Sequence, residues 1–218
     1  MRMKACLFDL DGVIVDTAKY HYRAWKEIAG QLGFGFSETD NEQLKGVSRM
    51  ASLDILLDIG KRSLSNEEKT KWADRKNRLY VSYIEKITPD EILPGVIPFL
   101  TELKNAAIRT GIGSASKNTP LILKRLELER YFDAVIDGNT TTKAKPHPEV
   151  FLLGAARLEV APSECVVFED AVAGVEAARN AGMMCIGVGK PGQLPGSRHV
   201  IDGFQNFTLT DFRKIIEG

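Results

Sequence analysis

The sequence lacks a net charge of either sign: 29 Lys and Arg balance 29 Asp and Glu over 218 residues. Nothing in that balance suits nucleic acid or an anionic membrane as a partner, so affinity for phosphate has to come from a local cluster of cations. The chain also lacks an apolar stretch of membrane-spanning length, and its first apolar run ends in charge, unlike a leader peptide, which predicts a cytoplasmic protein. Cysteine is scarce. Cys6, Cys165 and Cys185 each sit in a short apolar run, without CxxC or metal-ligand spacing. Buried thiols in a reducing compartment are expected, not a disulfide framework. Internal repeats and low-complexity segments are missing too. What remains, 44% hydrophobic and 27% charged residues, is an ordinary globular composition with length enough for a substantial core.

The first apolar run, Ala5-Cys6-Leu7-Phe8, does not alternate, as expected for a strand covered on both faces. From Ile97 onward helix and strand patterns take turns. Helical patterns cover Ile97–Ala107, Thr119–Leu128, Pro148–Leu158 and Val172–Ala181; strand patterns cover Ile108–Ser114, Ala134–Asp137, Cys165–Glu169 and Met184–Val188. That alternation predicts an α/β fold, a Rossmann-like parallel sheet flanked by helices. Residues 17–93 break the rhythm with helical patterns alone and are too long for a strand-to-helix connection. They read as an inserted all-helical cap domain, with residues 1–16 and 94–218 forming the core and Pro94-Gly95 as a hinge. The Gly/Pro-rich stretch Gly189–Gly196 reads as a surface loop.

Four short motifs carry candidate chemistry. Asp9 and Asp11 flank Leu10 directly after the first strand, where open parallel sheets bind ligands, and Gly12 permits a tight turn. Two residues apart in extended backbone, their carboxylates point the same way. One can attack phosphorus while the other moves a proton; alone, the motif is better read as an acidic turn. Ser114, Ala115, Ser116, Lys117 and Asn118 follow the second strand, where hydroxyls and backbone N–H groups can hold phosphoryl oxygens, or where the serines simply cap a helix. Lys145, before Pro146, can neutralise Asp9 and an incoming phosphate; a lone lysine is more often solvated surface. Glu169 and Asp170 end another strand and suit an oxygen-rich Mg²⁺ shell, or a helix cap. Four such features at strand ends point together to phosphoryl transfer.

In this order the motifs resemble the haloacid dehalogenase superfamily, across nearly the whole chain. Within it, FDLDGVIVDTAKYHYRAW (Phe8–Trp25), NEQLKGVSR (Asn41–Arg49), RKN (Arg75–Asn77), SASKN (Ser114–Asn118), KP (Lys145-Pro146) and GVEAARNAGM (Gly174–Met183) are most similar to the β-phosphoglucomutase family. The resemblance implies that Asp9 is nucleophile and metal ligand. Asp11 would be general acid/base and lend its backbone carbonyl to Mg²⁺, with Glu169 and Asp170 completing the shell. Ser114, Ala115 and Lys145 would bind the transferring phosphoryl group. Arg49, Ser116, Lys117 and Asn118 would hold a second phosphate. His21, Lys76 and the loop Lys45, Gly46, Val47 and Ser48 would line the sugar side, with Asp16 and Thr17 at the cap hinge.

By periodicity alone, His21 shares a face with Trp25, Ile28 and Leu32 and reads as a core histidine, and Arg49 and Lys76 read as surface charges. The implied activity interconverts β-glucose 1-phosphate and glucose 6-phosphate through an aspartyl-phosphate and glucose 1,6-bisphosphate. The expected partner is a small hexose phosphate, with no nucleic acid, no membrane and a monomeric state. A sugar-phosphate phosphatase would use the same core residues, and a receiver-like signalling module would share the acidic site. The helical insertion and the DxD pair speak against the latter. Met50-Ala51, Ala171 and Gly113 depart from the family pattern, Met50-Ala51 at the cap loop that would set sugar preference.

Overall fold

The computed structural model describes residues 3–217, so the first two residues and the last of the expected core lie outside it. Six strands form one parallel sheet: β1 (Ala5–Phe8), β2 (Arg109–Gly113), β3 (Ala134–Ile136), β4 (Cys165–Glu169), β5 (Met184–Val188) and β6 (His199–Ile201). Their order is β3-β2-β1-β4-β5-β6. The strand order reverses at β1, between β2 and β4, which opens a crevice at the carboxyl ends of these three strands.

β1 does not alternate because both its faces are covered. Cys6 and Phe8 enter one buried cluster, while Ala5 and Leu7 enter the other. Phe8 stacks on Phe168 at 4.9 Å, and Phe99, Phe204 and Phe212 close around the pair. On the opposite face, a Cβ on Gly111 or Gly154 would lie 2.9 Å from Leu7 Cδ2. Those two glycines make the room into which Leu7 packs. The three cysteines are buried, and burial, the largest cause in each case, pushes Cys165 up to about 11 and Cys185 up to about 12.

Helices α1 (Ala18–Gln31), α2 (Glu38–Asn41), α3 (Arg49–Ile59) and α4 (Asn66–Ile84) make up the helical cap, and among the described residues this stretch contains no sheet strand. The cap has its own cluster of Trp25, Ile28, Phe36, Leu53, Leu56 and Leu57. α4 starts on a capping box: Ser65 Oγ accepts from the Glu68 N–H and Glu68 Oε2 accepts from the Ser65 N–H, which satisfies two otherwise orphaned donors.

Cap and core join through two short antiparallel passes. The Asp16 N–H donates to the Glu91 carbonyl, the Leu93 N–H donates to the Ile14 carbonyl, and Val15 bridges Ile92. Beyond them Gly95 adopts φ +81°, and a Cβ there would sit 1.9 Å from the Phe204 carbonyl oxygen. This position therefore tolerates nothing larger than glycine.

In the core, α5 (Val96–Asn105), α6 (Thr119–Arg125), α7 (Glu149–Arg157) and α8 (Val172–Asn180) follow the expected alternation. The pattern runs long at Thr119–Leu128, because the helix ends at Arg125 and Glu127 turns to φ 54°. β6 and the last helix, α9 (Leu209–Glu217), are additions that periodicity did not reveal. β6 is a three-residue edge strand, half-buried along its length. α9 has Phe212 as its one buried residue.

Candidate active site

The cavity between cap and core has a volume of about 590 Å³. At its floor, Asp9 follows β1 and its N–H still donates to the Phe168 carbonyl, extending the ladder with β4 by one residue. Lys145 reaches in from the loop after β3 and places Nζ 2.5 Å from both Asp9 Oδ1 and Glu169 Oε1. It is thus a spatial neighbour of the strand ends, not itself a strand end. All three side chains are nearly inaccessible. Burial alone would lower the Lys145 pKa, but the Asp9 and Glu169 carboxylates outweigh it and hold the ammonium well above its usual value.

Two glycines let the acids crowd together. A Cβ on Gly12, at φ +85°, would meet Asp170 Oδ2, and one on Gly174 would overlap the Glu169 carboxylate. Glu169 Oε2 also accepts from the Ala171 N–H at 2.9 Å. Burial, with Asp9 nearby and Lys145 opposing, pushes Glu169 up to about 7. Asp170 is held well above the usual carboxylate range by burial, then by Glu169 and Asp9.

Three carboxyl groups therefore share one ammonium, and the imbalance calls for further positive charge. Among the described residues no group of three or more His, Cys, Asp or Glu side chains forms a ready metal cage. Asp9 and Asp170 supply hard oxygen donors, and each Glu169 oxygen keeps a second acceptor site. A few carboxylates completed by water and phosphate oxygens is the usual environment of Mg²⁺, so the residues present fit that ion.

The loop after β2 is ordered by nested serine turns. Ser114 Oγ accepts from the Ser116 N–H and Ser116 Oγ accepts from the Asn118 N–H. Both hydroxyl oxygens are used as acceptors; the Ser114 proton stays free to donate to a ligand. Gly138 approaches this loop so closely that a Cβ would be 2.5 Å from the Ala115 carbonyl oxygen.

The cap supplies the roof. Thr17, fully buried, donates its hydroxyl to Asp11 Oδ1. His21 Nε2 lies 3.9 Å from that same oxygen, and its Nδ1 is 2.7 Å from Lys76 Nζ. Lys76 is buried over the Trp25 and Tyr80 rings. Burial and the nearby Arg49 push Lys76 down to about 7, with Asp11 opposing. Burial, Lys76 and Arg49 keep His21 neutral, well below its usual pKa. Burial, then repulsion from Asp9, raises Asp11 to about 6 against the pull of Thr17, Lys76 and Lys145.

Arg49 opens α3, whose cap is Ser48 Oγ accepting from the Ala51 N–H. Among the described residues neither Arg49 nor Lys117 takes part in an ion pair within 4.0 Å, whereas Lys45 is held 2.9 Å from Glu42. Two further contacts tie the cap to the core. Asn118 Nδ2 donates to Asn77 Oδ1 at 2.9 Å, and Gly46 packs so closely on Ala171 that a Cβ would come within 2.8 Å of it.

Of the residues singled out in the sequence, Asp9, Asp11, His21, Lys45 to Arg49, Lys76, Ser114 to Asn118, Lys145 and Asp170 all line the one cavity. Thr17 and Glu169 stand behind its wall and act on Asp11 and Lys145. The histidine on an apolar helical face is no sealed core residue, and Lys76 is no surface charge. Sequence reading passed over Asn41, Tyr80 and Asn77. Tyr80 lies four residues beyond Lys76 on α4, so helical spacing from that lysine could have found it; Asn77 follows Lys76 directly within the quoted RKN segment.

Comparison with known proteins agrees with this arrangement. The family model for haloacid dehalogenase-like hydrolases matches residues 3–182. A β-phosphoglucomutase of Bacillus subtilis is 45% identical over 209 residues, 95% of this chain and 92% of the relative. A phosphorylated carbohydrates phosphatase of Thermotoga maritima is 34% identical over 185 residues, 83% of this chain and 82% of that one. The crystal structure of a β-phosphoglucomutase from Clostridium difficile superposes with a TM-score of 0.92 at 40% identity, covering 99% of this chain and 100% of that one. With the acidic floor, the lysine between its carboxylates and the helical cap in place, the chain belongs to the haloacid dehalogenase-like hydrolase family.

Proposed function

We propose that the chain interconverts β-glucose 1-phosphate and glucose 6-phosphate, the β-phosphoglucomutase reaction, in the cytoplasm and as a monomer. The observation that carries this reading is the cavity's two separate sets of anion-binding groups. One is Ser114 and Lys145 beside Asp9; the other is Arg49 and Lys117, which among the described residues form no ion pair within 4.0 Å. A bisphosphate needs both, and a monophosphate being hydrolysed needs one. A single chain supplies every wall.

Asp9 Oδ1 is held by Lys145, which leaves Oδ2 to take a phosphoryl group from glucose 1,6-bisphosphate, whose sugar oxygen departs with the Asp11 proton, and so form the aspartyl-phosphate. Mg²⁺, when bound by Asp9, Asp170, Glu169 and the Asp11 carbonyl, would offset charge between Asp9 and the incoming phosphoryl group. Asp11, at about 6, accepts the proton of the sugar 6-hydroxyl as that oxygen takes the phosphoryl group from Asp9. The product is glucose 1,6-bisphosphate, with Asp9 freed. After the bisphosphate turns around, Asp9 attacks the 1-phosphate and Asp11 returns its proton to the departing sugar oxygen. His21 and Lys76 bind the sugar side and hold Asp11 in place. Arg49, Ser116, Lys117 and Asn118 hold whichever phosphate is not reacting. Residues 17–93 close as a cap on residues 1–16 and 94–218, with Lys45 to Ser48 sealing the edge against water.

The phosphatase relative gives the second reading its basis. A coupled glucose 6-phosphate assay, run beside phosphate release, separates them: wild type isomerises with little free phosphate. Arg49→Ala loses most isomerisation while the floor stays intact. Free phosphate as the main wild-type product would establish the phosphatase instead.

A further inference from the structure

Each of the two long cap helices places an aromatic residue four positions after a polar one. On α1 Trp25 follows His21, and on α4 Tyr80 follows Lys76, so each pair shares a helix face. The two helices pack against each other, and these four side chains meet between them. Lys76 Nζ lies 4.9 Å from the Trp25 ring centroid and 4.7 Å from that of Tyr80. The His21 ring lies 4.0 Å from the Tyr80 ring, so Tyr80 packs on both members of the His21–Lys76 pair.

Lys76 needs such support. It is 3% exposed; among the described residues it forms no ion pair within 4.0 Å, and its ammonium bonds to His21 Nδ1. A buried charge without a counter-charge is costly, and the faces of two rings offset part of that cost. An ammonium can only donate, so His21 Nδ1 accepts and the ring proton sits on Nε2, the nitrogen 3.9 Å from Asp11 Oδ1. The Tyr80 hydroxyl takes no part, because Oη is buried and has no hydrogen-bond partner among the described residues. What the fold uses at this position is the ring.

We propose that Trp25 and Tyr80 are positioning residues, whose ring faces hold the Lys76 ammonium against His21 and thereby aim His21 Nε2–H at Asp11. The inference rests on the phosphoryl-transfer role of Asp11 given above and adds two residues to it. One cation–π contact with a desolvated ammonium corresponds to about thirtyfold in kcat/KM.

The test is a cycle between ring and cation. Isomerisation is measured for Tyr80→Phe, Tyr80→Leu, Lys76→Met and the double variant of the last two. Tyr80→Phe keeps the ring and should retain the wild-type kcat/KM. Tyr80→Leu should lose about thirtyfold. It should lose little further in the Lys76→Met background, where the cation that the ring holds is already gone. Trp25→Leu should behave as Tyr80→Leu does. A ring that only fills the core would lose the same factor in both backgrounds. That result, or a Tyr80→Phe as slow as Tyr80→Leu, would overturn the inference. Should the leucine variants fail to fold, NMR of the wild-type protein decides. Ring currents must move the Lys76 ε-methylene protons upfield, the signals being identified by their loss in Lys76→Met, and an ordinary shift would overturn the inference as well. Phosphate release, read in parallel, keeps the two readings apart. Non-additive losses in phosphate release without isomerisation support the aromatic seat and sink only the mutase; isomerisation with additive losses sinks only the seat.

Discussion

Gly46 offers the sharpest test of whether the cap must seat on the core for turnover. It sits at φ +72°, and an added Cβ would lie 2.8 Å from the Ala171 Cβ and 3.8 Å from the Ala173 Cβ. In Gly46→Ala two costs arise. The left-handed backbone strains any residue with a Cβ by about 1–2 kcal/mol, and this acts whether the cap is open or closed. The collision with Ala171 acts in the closed state alone. Overpacking of this kind costs roughly 1–3 kcal/mol, which lowers the closed population about 5- to 150-fold.

Gly46→Ala should therefore reduce isomerisation by that factor, while its thermal stability falls only by the backbone strain of about 1–2 kcal/mol. It should also release more free phosphate per turnover, since a cap that seats poorly admits water. Ala171→Gly removes the colliding atom from an N-cap position, where glycine is well tolerated. The double variant should regain most of the activity, leaving the backbone strain behind. The coupled assay with parallel phosphate measurement reads all four proteins. Unchanged turnover in Gly46→Ala, or no rescue by Ala171→Gly, would refute the idea that this contact belongs to the working state.

Asp11 carries a pH prediction with a fixed sign. Its carboxyl is raised from 3.8 to about 6 in the folded state, so its favourable contribution is full below pH 3.8 and is lost as pH rises through about 6. In metal-free buffer Asp11→Asn should melt higher than wild type at pH 7.5, with the gap closing by pH 4, though its turnover is crippled. A second prediction concerns charge on the floor. Lys145→Met strands Asp9 and Glu169 without their shared cation and should destabilise the protein by about 3–5 kcal/mol. Mg²⁺ should raise the wild-type melting temperature, worth about 2.7 kcal/mol at a hundred times its Kd, and Asp170→Asn should lose most of that rise in differential scanning fluorimetry.

The core was readable from sequence because a parallel strand buried on both faces leaves an unbroken apolar run, as at Ala5–Phe8, and because each run stops at polar residues. Lys145 was harder to place by position, since only the folded loop brings it to Asp9. The cap was readable as helices but not as chemistry. His21 and Lys76 lie on apolar helix faces, and periodicity cannot distinguish a face that meets a core from one that meets a ligand cavity. Resemblance to a family supplied what periodicity could not. β6 and α9 escaped for a physical reason: a three-residue edge strand and a helix anchored by one buried residue, Phe212, leave little pattern to read.

The central claim is that Asp9 passes one phosphoryl group between two oxygens of the same sugar. The most direct measurement is a ³¹P NMR time course of β-glucose 1-phosphate with the enzyme, Mg²⁺ and a trace of glucose 1,6-bisphosphate. The account predicts that the 1-phosphate signal converts to 6-phosphate with little inorganic phosphate, and that Asp9→Asn leaves the starting signal unchanged. Inorganic phosphate growing in place of the 6-phosphate, or isomerisation persisting in Asp9→Asn, would contradict it.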